Sequence, residues 1–180
     1  LRPIALALVA LALLAWQAQA ATQSFIWRAT GPRGGTVFLA GSIHLLSSQY
    51  YPLAPAFEQA FGQSDLLVEE LDMGEMMSSE SQMLMLRRGM ATPGQTLDKV
   101  LTPRTLDAVK AKVAELGLPL APLQLFKPWA LALTLQGLEW QKAGFDASLG
   151  LDRHFYDRAR AANKPVQALE TLEFQISRFD

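Results

Sequence analysis

The sequence holds 180 residues, of which 17 are acidic and 16 basic, and its formal net charge is −1 with both histidines neutral. This balance leaves no extended basic surface, so a nucleic-acid partner is not expected. The absence of cysteine excludes disulfides and any lipid attached through a thiol.

The start of the sequence is typical of a secretory signal peptide. Arg2 is a short positive region, residues 4–16 are apolar, and residues 18–20 (Ala-Gln-Ala) have the small-x-small pattern of a cleavage site. The apolar run is shorter than the roughly 20 residues of a membrane-spanning helix, although a buried helix would have a similar composition. We therefore expect a signal peptide over residues 1–20, export to the periplasm or beyond the cell, and no stable membrane span after cleavage. Residues 21–180 then belong to one domain.

The first half of that domain is predicted to alternate strands and helices. Turn residues separate two apolar runs, which predicts a hairpin of strands 25–27 and 36–40, the second of them buried. Prolines then open a helix that ends at Gly62, and the run Asp-Leu-Leu-Val-Glu at 65–69 predicts a second buried strand. His44 lies on a glycine-opened turn just after the hairpin.

The second half is predicted to be mainly helical. The predicted elements are helices at 102–116, 129–142 and 148–162, a strand at 166–169 and a helix that begins at 170. The helix at 129–142 is apolar nearly all round, which predicts deep burial. Ser148 is the expected cap of the helix that follows it.

Three predicted strand ends carry side chains suited to metal chemistry, namely His44, Glu70 and Glu170. If the strands run parallel, all three side chains project from one edge of one sheet, where sites in α/β folds usually lie. One imidazole and two carboxylates can bind a divalent metal and activate a water molecule. A structural histidine with satisfied hydrogen bonds is the alternative for His44.

Five segments of the sequence resemble, in order, those of the TraB/GumN family, which is also called PrgY. They are residues 38–44 (Phe-Leu-Ala-Gly-Ser-Ile-His), 65–72, 127–130, 150–152, and 164–171 with Gln175. The first is similar to the family's first Gly-x-x-His motif and contains His44. The second is similar to a family strand that ends in a glutamate followed by an aspartate, and it maps that glutamate onto Glu70 and not onto Glu69.

The resemblance implies an α/β fold of the erythromycin esterase/ChaN type, with a mixed central sheet and flanking helices. It also implies a relation to the Tiki metalloproteases, in which two Gly-x-x-His motifs and glutamates are associated with a metal-dependent peptidase site. On that basis His44 and Glu70 are the expected catalytic residues. The expected ligands of a divalent metal (Mn, Co or Zn) are His44, Glu70 and Glu170, and the expected substrate is a peptide or protein.

The family's second Gly-x-x-His motif is absent from this sequence. Near the remaining histidine, His154, position 151 is leucine instead of glycine. In the family the second motif lies well downstream of the segment that matches 164–171, and the sequence ends within a predicted helix. We therefore expect this sequence to be the N-terminal part of a TraB/GumN-type domain, with a sheet that is incomplete at the C-terminus.

Other polar residues have less specific roles. His154 lies among charged residues and is expected on a solvated helix face. Asp152 is expected to make a structural hydrogen bond or cap, with orientation of a metal ligand as the less favoured alternative. Glu69 points away from the expected site because neighbouring strand residues face opposite sides, and Arg87 or Arg88 is its expected partner.

The methionine-rich segment and the absence of two common motifs limit the classes of function that the sequence supports. All six methionines lie between positions 73 and 90, which favours an adaptable surface beside a cleft over a copper site. No Gly-x-Ser-x-Gly elbow or glycine-rich nucleotide motif occurs, which argues against a serine hydrolase and against nucleotide chemistry. We therefore favour a metal-dependent hydrolase acting on peptides. The alternative is a non-catalytic binding or regulatory protein that captures a peptide or haem.

Overall fold

The computed structural model describes residues 25–179, so the expected signal peptide at 1–20 lies outside the described part of the chain. The four strands of this part are β1 (Ile26–Thr30), β2 (Thr36–Ala40), β3 (Leu67–Glu69) and β4 (Val166–Ala168). Its nine α-helices are α1 (Pro55–Gln63), α2 (Met73–Met76), α3 (Ser79–Gly89), α4 (Leu97–Val100), α5 (Pro103–Glu115), α6 (Leu120–Leu123), α7 (Pro128–Lys142), α8 (Leu151–Ala161) and α9 (Leu172–Ile176). Short 3-10 helices occupy Ser48–Tyr50 and Ala147–Leu149.

These elements fall into two compact units. The first contains β1, β2 and α1, and the second contains the segment 42–51 and every element from β3 onward. The α/β class is confirmed, because the described residues combine α-helices with two small β-sheets. No helix among residues 25–179 combines the length and the apolar character needed to cross a bilayer.

The predicted hairpin is confirmed, but its apolar strands are not buried. β1 and β2 pair antiparallel, with Trp27 opposite Leu39 and Ala29 opposite Val37. These cross-strand partners share one face of the ribbon, because side chains alternate along a strand. Trp27 and Leu39 are each 59% exposed, so the predicted burial of residues 36–40 is wrong for the part of the chain that is described.

The second sheet brings two distant acidic segments together. β3 and β4 pair in parallel, with Leu67 opposite Val166, and a long helical connection joins them, as a parallel pair requires. Backbone hydrogen bonds extend the pairing beyond the strands, from Leu169 N to the Glu69 carbonyl (2.9 Å) and from Glu170 N to the Glu70 carbonyl (3.0 Å). The described strands thus form two separate two-stranded sheets, and the three strand ends do not share one sheet edge as predicted.

Helix ends follow local capping chemistry. Thr102 caps α5, because its hydroxyl accepts a hydrogen bond from Thr105 N at 3.3 Å. The predicted Ser148 cap is wrong: Asp146 accepts a hydrogen bond from Ser148 N at 2.7 Å, and α8 begins only after Gly150.

The helix α7 contributes only one fully buried residue to the described core of the second unit. The most buried large side chains of this core are Leu97, Val113, Leu131 and Ile176. Within α7 only Leu131 is fully buried, and Leu133 (42% exposed) and Trp140 (37% exposed) face outward. Deep burial of the whole helix, expected from its apolar sequence, is therefore wrong for the described residues.

Two leucines of α7 provide a test of this packing. Leu131→Ala is expected to lower the free energy of unfolding by about 2–4 kcal/mol, because it removes a side chain that is 2% exposed and leaves a cavity. Leu133→Ala, the matched control on the same helix, should cost less than about 1 kcal/mol. Urea unfolding of both variants measures the difference, and equal losses would contradict this placement of the helix.

Candidate functional site

The turn that carries His44 is fixed against the start of α8. Leu46 and Asp146 exchange two backbone hydrogen bonds (3.1 and 2.8 Å), and Leu151 N donates to the Ile43 carbonyl at 2.9 Å. The Tyr51 hydroxyl donates to the Leu149 carbonyl at 2.8 Å. The segment 42–51 therefore lies along the segment 146–151, and its backbone cannot move independently of α8.

Gly150 makes the close approach of these two segments possible. A Cβ at position 150 would clash with the carbonyl oxygen and carbon of His44, which are backbone atoms that cannot rotate away. Leu151, the next residue, is buried and anchors the first turn of α8. Glycine is therefore required at the first position of the Gly-Leu-Asp segment, since any larger residue would displace His44.

Asp152 holds the imidazole of His44. His44 Nδ1 lies 2.7 Å from Asp152 Oδ2, and the Ser42 hydroxyl donates to Asp152 Oδ1 at 2.5 Å. The carboxylate is 15% exposed, whereas the imidazole is 70% exposed. This contact occupies Nδ1 and leaves Nε2 for another partner, as in the carboxylate–histidine pairs that orient metal ligands.

The charges of this pair reinforce each other. The hydrogen bond that His44 donates to Asp152 raises the pKa of His44 above its usual value against the effect of burial, and the charges of Asp152 and Glu70 raise it further. Burial acts to raise the pKa of Asp152, but the hydrogen bonds from His44 and Ser42 outweigh it and lower that pKa. Asp152 also lies in the first turn of α8, where the helix dipole favours a negative charge.

The side chain of Glu70 is held by Gln175, which is distant from it in the sequence. Gln175 Nε2 donates a hydrogen bond to Glu70 Oε1 at 2.5 Å, and the Glu70 carbonyl accepts one from Glu170 N. The structure therefore brings Glu70 and Glu170 to adjacent positions at the ends of β3 and β4. It does not join His44 to either glutamate by a hydrogen bond or ion pair within residues 25–179; the charge of Glu70 acts on His44 through space.

Glu69 is buried and the adjacent Glu70 is exposed, in agreement with the opposite sides expected of neighbouring strand residues, but Glu69 does not pair with either expected arginine. It is 7% exposed, and neither carboxylate oxygen makes a hydrogen bond of normal geometry. Burial, and after it the charges of Asp152 and Asp72, raise its pKa to about 7, while the backbone N–H of Met73 acts in the opposite direction. The predicted pairing with Arg87 or Arg88 is wrong.

The cation on α3 has a different partner. Arg88 forms an ion pair with Glu173 of α9 at 2.5 Å. The burial of Glu69 therefore proceeds without a compensating charge from this helix.

His154 lies in an aromatic cluster, so the predicted solvated position is wrong. Its ring centroid is 5.2 Å from that of Tyr51 and 4.9 Å from that of Phe155. The methionine-rich segment forms α2 and α3, where Met77 (40% exposed) and Met83 (54% exposed) reach the surface. The Met77 sulfur contacts the guanidinium of Arg153, next to Asp152 in α8.

A comparison with known protein families identifies the family to which the chain belongs. A family model described as TraB/PrgY/gumN matches residues 25–180. The chain belongs to the TraB/PrgY/gumN family. The predicted resemblance to that family is thereby confirmed.

Two individual proteins are similar to part of the chain. The chain is 27% identical over 139 residues to the protein YbaP of Escherichia coli strain K12, an alignment that covers 77% of this chain and 50% of the relative. YbaP of Shigella flexneri matches to the same extent, and both are described as uncharacterized. The chain thus spans about half the length of the curated relatives it matches. No solved structure gives a significant match.

The TraB-like segments occupy structurally meaningful positions. Residues 150–152 bring Gly150 and Asp152 against the His44 turn, and the segment 164–171 forms β4 and its extension beside Glu70. Ser42 and Gln175 are the polar residues whose contacts the sequence does not indicate, because each contact spans more than a hundred positions. The only sequence signal for them is their presence in the TraB-like segments.

The described residues do not form a complete metal site. Between residues 25 and 179, no group of three or more histidine, aspartate or glutamate side chains is arranged to hold a metal ion. His44 fits the role of a ligand through Nε2, and the side chain of Glu70 is held in place by Gln175.

The pH dependence of stability tests the burial of the Glu69 carboxylate. Its folded-state pKa of about 7 lies above the ordinary value of 4.5, so the folded state binds more protons across this window and loses stability as the pH rises through it. Glu69→Gln should therefore stabilise the fold at about pH 8, by up to about 3 kcal/mol, and have little effect near pH 4.

Urea unfolding at both pH values measures this effect. Asp107→Asn removes a carboxylate charge from an exposed position on α5 and is the control, with little change expected at either pH. A pH-independent effect of Glu69→Gln, or a loss of stability at about pH 8, would contradict the burial of an unpaired carboxylate.

Proposed function

We propose that this protein is an exported, metal-dependent hydrolase that cleaves peptide bonds, with His44 and Glu70 at its site. Membership of the TraB/PrgY/gumN family supports the proposal. The observation that carries it is the 2.7 Å contact between Asp152 and Nδ1 of His44, because this contact selects Nε2 as the free ligand atom. Residues 1–20 are proposed to direct export.

In this proposal His44 and Glu70 bind a divalent metal, Mn, Co or Zn, and Glu170 is the weaker candidate for a second carboxylate ligand. When bound, the ion would lower the pKa of a water molecule and polarise the scissile carbonyl. Since the described residues supply no group of three ligands, further ligands are proposed to come from a second Gly-x-x-His motif outside them.

The chain's own residues have separate tasks in this mechanism. Asp152 fixes the tautomer and the orientation of the imidazole, and Ser42 holds the other carboxylate oxygen in place. Glu70, as an alternative to ligating the metal, acts as general base, taking a proton from the attacking water and delivering it to the leaving amine. Because the pKa of His44 is raised, a proton competes for Nε2, and metal affinity should increase with pH.

Two substitutions in the full-length protein test this proposal. His44→Ala should abolish turnover of a peptide substrate and remove tight metal binding, since it deletes the ligand. Asp152→Asn should lower metal affinity by about 10- to 100-fold without unfolding the protein, since it weakens the support of that ligand. Asp107→Asn, at an exposed position on α5, is the control and should have no effect.

Calorimetric titration with Mn²⁺, Co²⁺ or Zn²⁺ and a peptide-cleavage assay provide the two readouts. Full turnover and unchanged metal affinity in His44→Ala would remove this mechanism. Haem binding with a Soret band that His44→Ala weakens, together with no chelator-sensitive turnover, would instead indicate the non-catalytic capture of haem.

A further inference from the structure

We infer that Gln175 is a positioning residue for Glu70 and keeps one oxygen of that carboxylate free for the metal; this inference rests on the proposed function. The hydrogen bond from Gln175 Nε2 to Glu70 Oε1, at 2.5 Å, carries it. An ionised carboxylate only accepts hydrogen bonds, so the amide must present its nitrogen to Glu70 and not its oxygen. The bond is charge-assisted, which makes it stronger than a bond between neutral groups.

The helix that carries Gln175 is anchored on several sides. Leu172 (4% exposed) and Ile176 (2% exposed) bury one face of α9 in the core. The Thr171 hydroxyl accepts a hydrogen bond from Phe174 N at 3.2 Å and caps the helix. The ion pair between Arg88 and Glu173 joins α9 to α3, so the amide is presented from a fixed element.

The backbone of Glu70 is fixed to the same segment. Its carbonyl accepts the hydrogen bond from Glu170 N at 3.0 Å, just before the cap of α9. Both ends of Glu70, its backbone and its carboxylate, are therefore held by residues 170–175. A side chain restrained at both ends loses little entropy when it binds a ligand, which favours affinity.

The chemistry of an amide explains why glutamine suits this position. An amide satisfies one carboxylate oxygen without neutralising the negative charge, so the second oxygen stays attractive to a cation. A lysine or arginine would hold the carboxylate equally well but would compete with the metal for its charge. Gln175 thus orients Glu70 as Asp152 orients His44, but without adding a charge.

Two variants in the full-length protein separate position from charge. Gln175→Met keeps the length of the side chain but removes the hydrogen bond, and we expect Co²⁺ affinity to fall by about 10- to 100-fold. Gln175→Lys keeps a donor but adds a positive charge, and we expect a comparable fall. Gln136→Met, at an exposed position on α7, is the matched control and should bind Co²⁺ as the wild type does.

Three readouts distinguish positioning from a merely structural role. Co²⁺ titration gives affinity, the peptide assay separates kcat from KM, and urea unfolding should show an almost unchanged midpoint for Gln175→Met. In the unligated protein, the NMR signals of the Gln175 side-chain amide should shift in Glu70→Ala, because the hydrogen bond is lost.

The outcomes for the two proposals differ. A wild type that binds Co²⁺ beside a Gln175→Met variant with equal affinity and equal kcat would overturn this inference alone. Wild-type Co²⁺ affinity in Gln175→Lys would overturn the role assigned to the neutral amide. A wild type that binds no Co²⁺, Mn²⁺ or Zn²⁺ would overturn the proposed function and with it the metal-directed role of Gln175.

Discussion

The hydrogen bond between His44 and Asp152 joins the turn after the hairpin to the helix that begins at residue 151. Leu151 (8% exposed) and Ala159 (0% exposed) anchor that helix in the core, so the carboxylate is presented from a fixed position. The imidazole in turn takes its orientation from the carboxylate. Both the steric requirement at Gly150 and the contact of Ser42 follow from this one juxtaposition.

The sequence predicts what local chemistry determines. A Thr-Pro pair sets the start of α5, and Pro128 sets that of α7, because capping and the fixed φ of proline act within one turn. The alternation of strand residues predicts that Glu69 and Glu70 face opposite sides, and the structure shows that Glu69 is the buried one. The partners of His44 and Glu70 are not predictable in this way, since a single sequence does not say which distant side chains meet.

Burial depends on neighbours as well as on composition, and here the sequence-based expectations were wrong. The apolar pattern of β2 and α7 indicates that these elements can be buried, but a strand paired on one side only remains largely exposed. The reverse occurs at Glu69, an ionisable side chain that is buried without a cation among the described residues, while Arg88 pairs with Glu173. Polarity alone would not predict either outcome.

The distance along the chain between paired residues has a kinetic consequence. His44 and Asp152 are 108 positions apart, and Glu70 and Gln175 are 105 apart, so every contact of the site closes a very long loop. Closing such long loops costs conformational entropy, so these contacts are expected to form after the local contacts of the helices. A nascent or unfolded chain therefore has no assembled site, and any activity is confined to molecules that have completed folding.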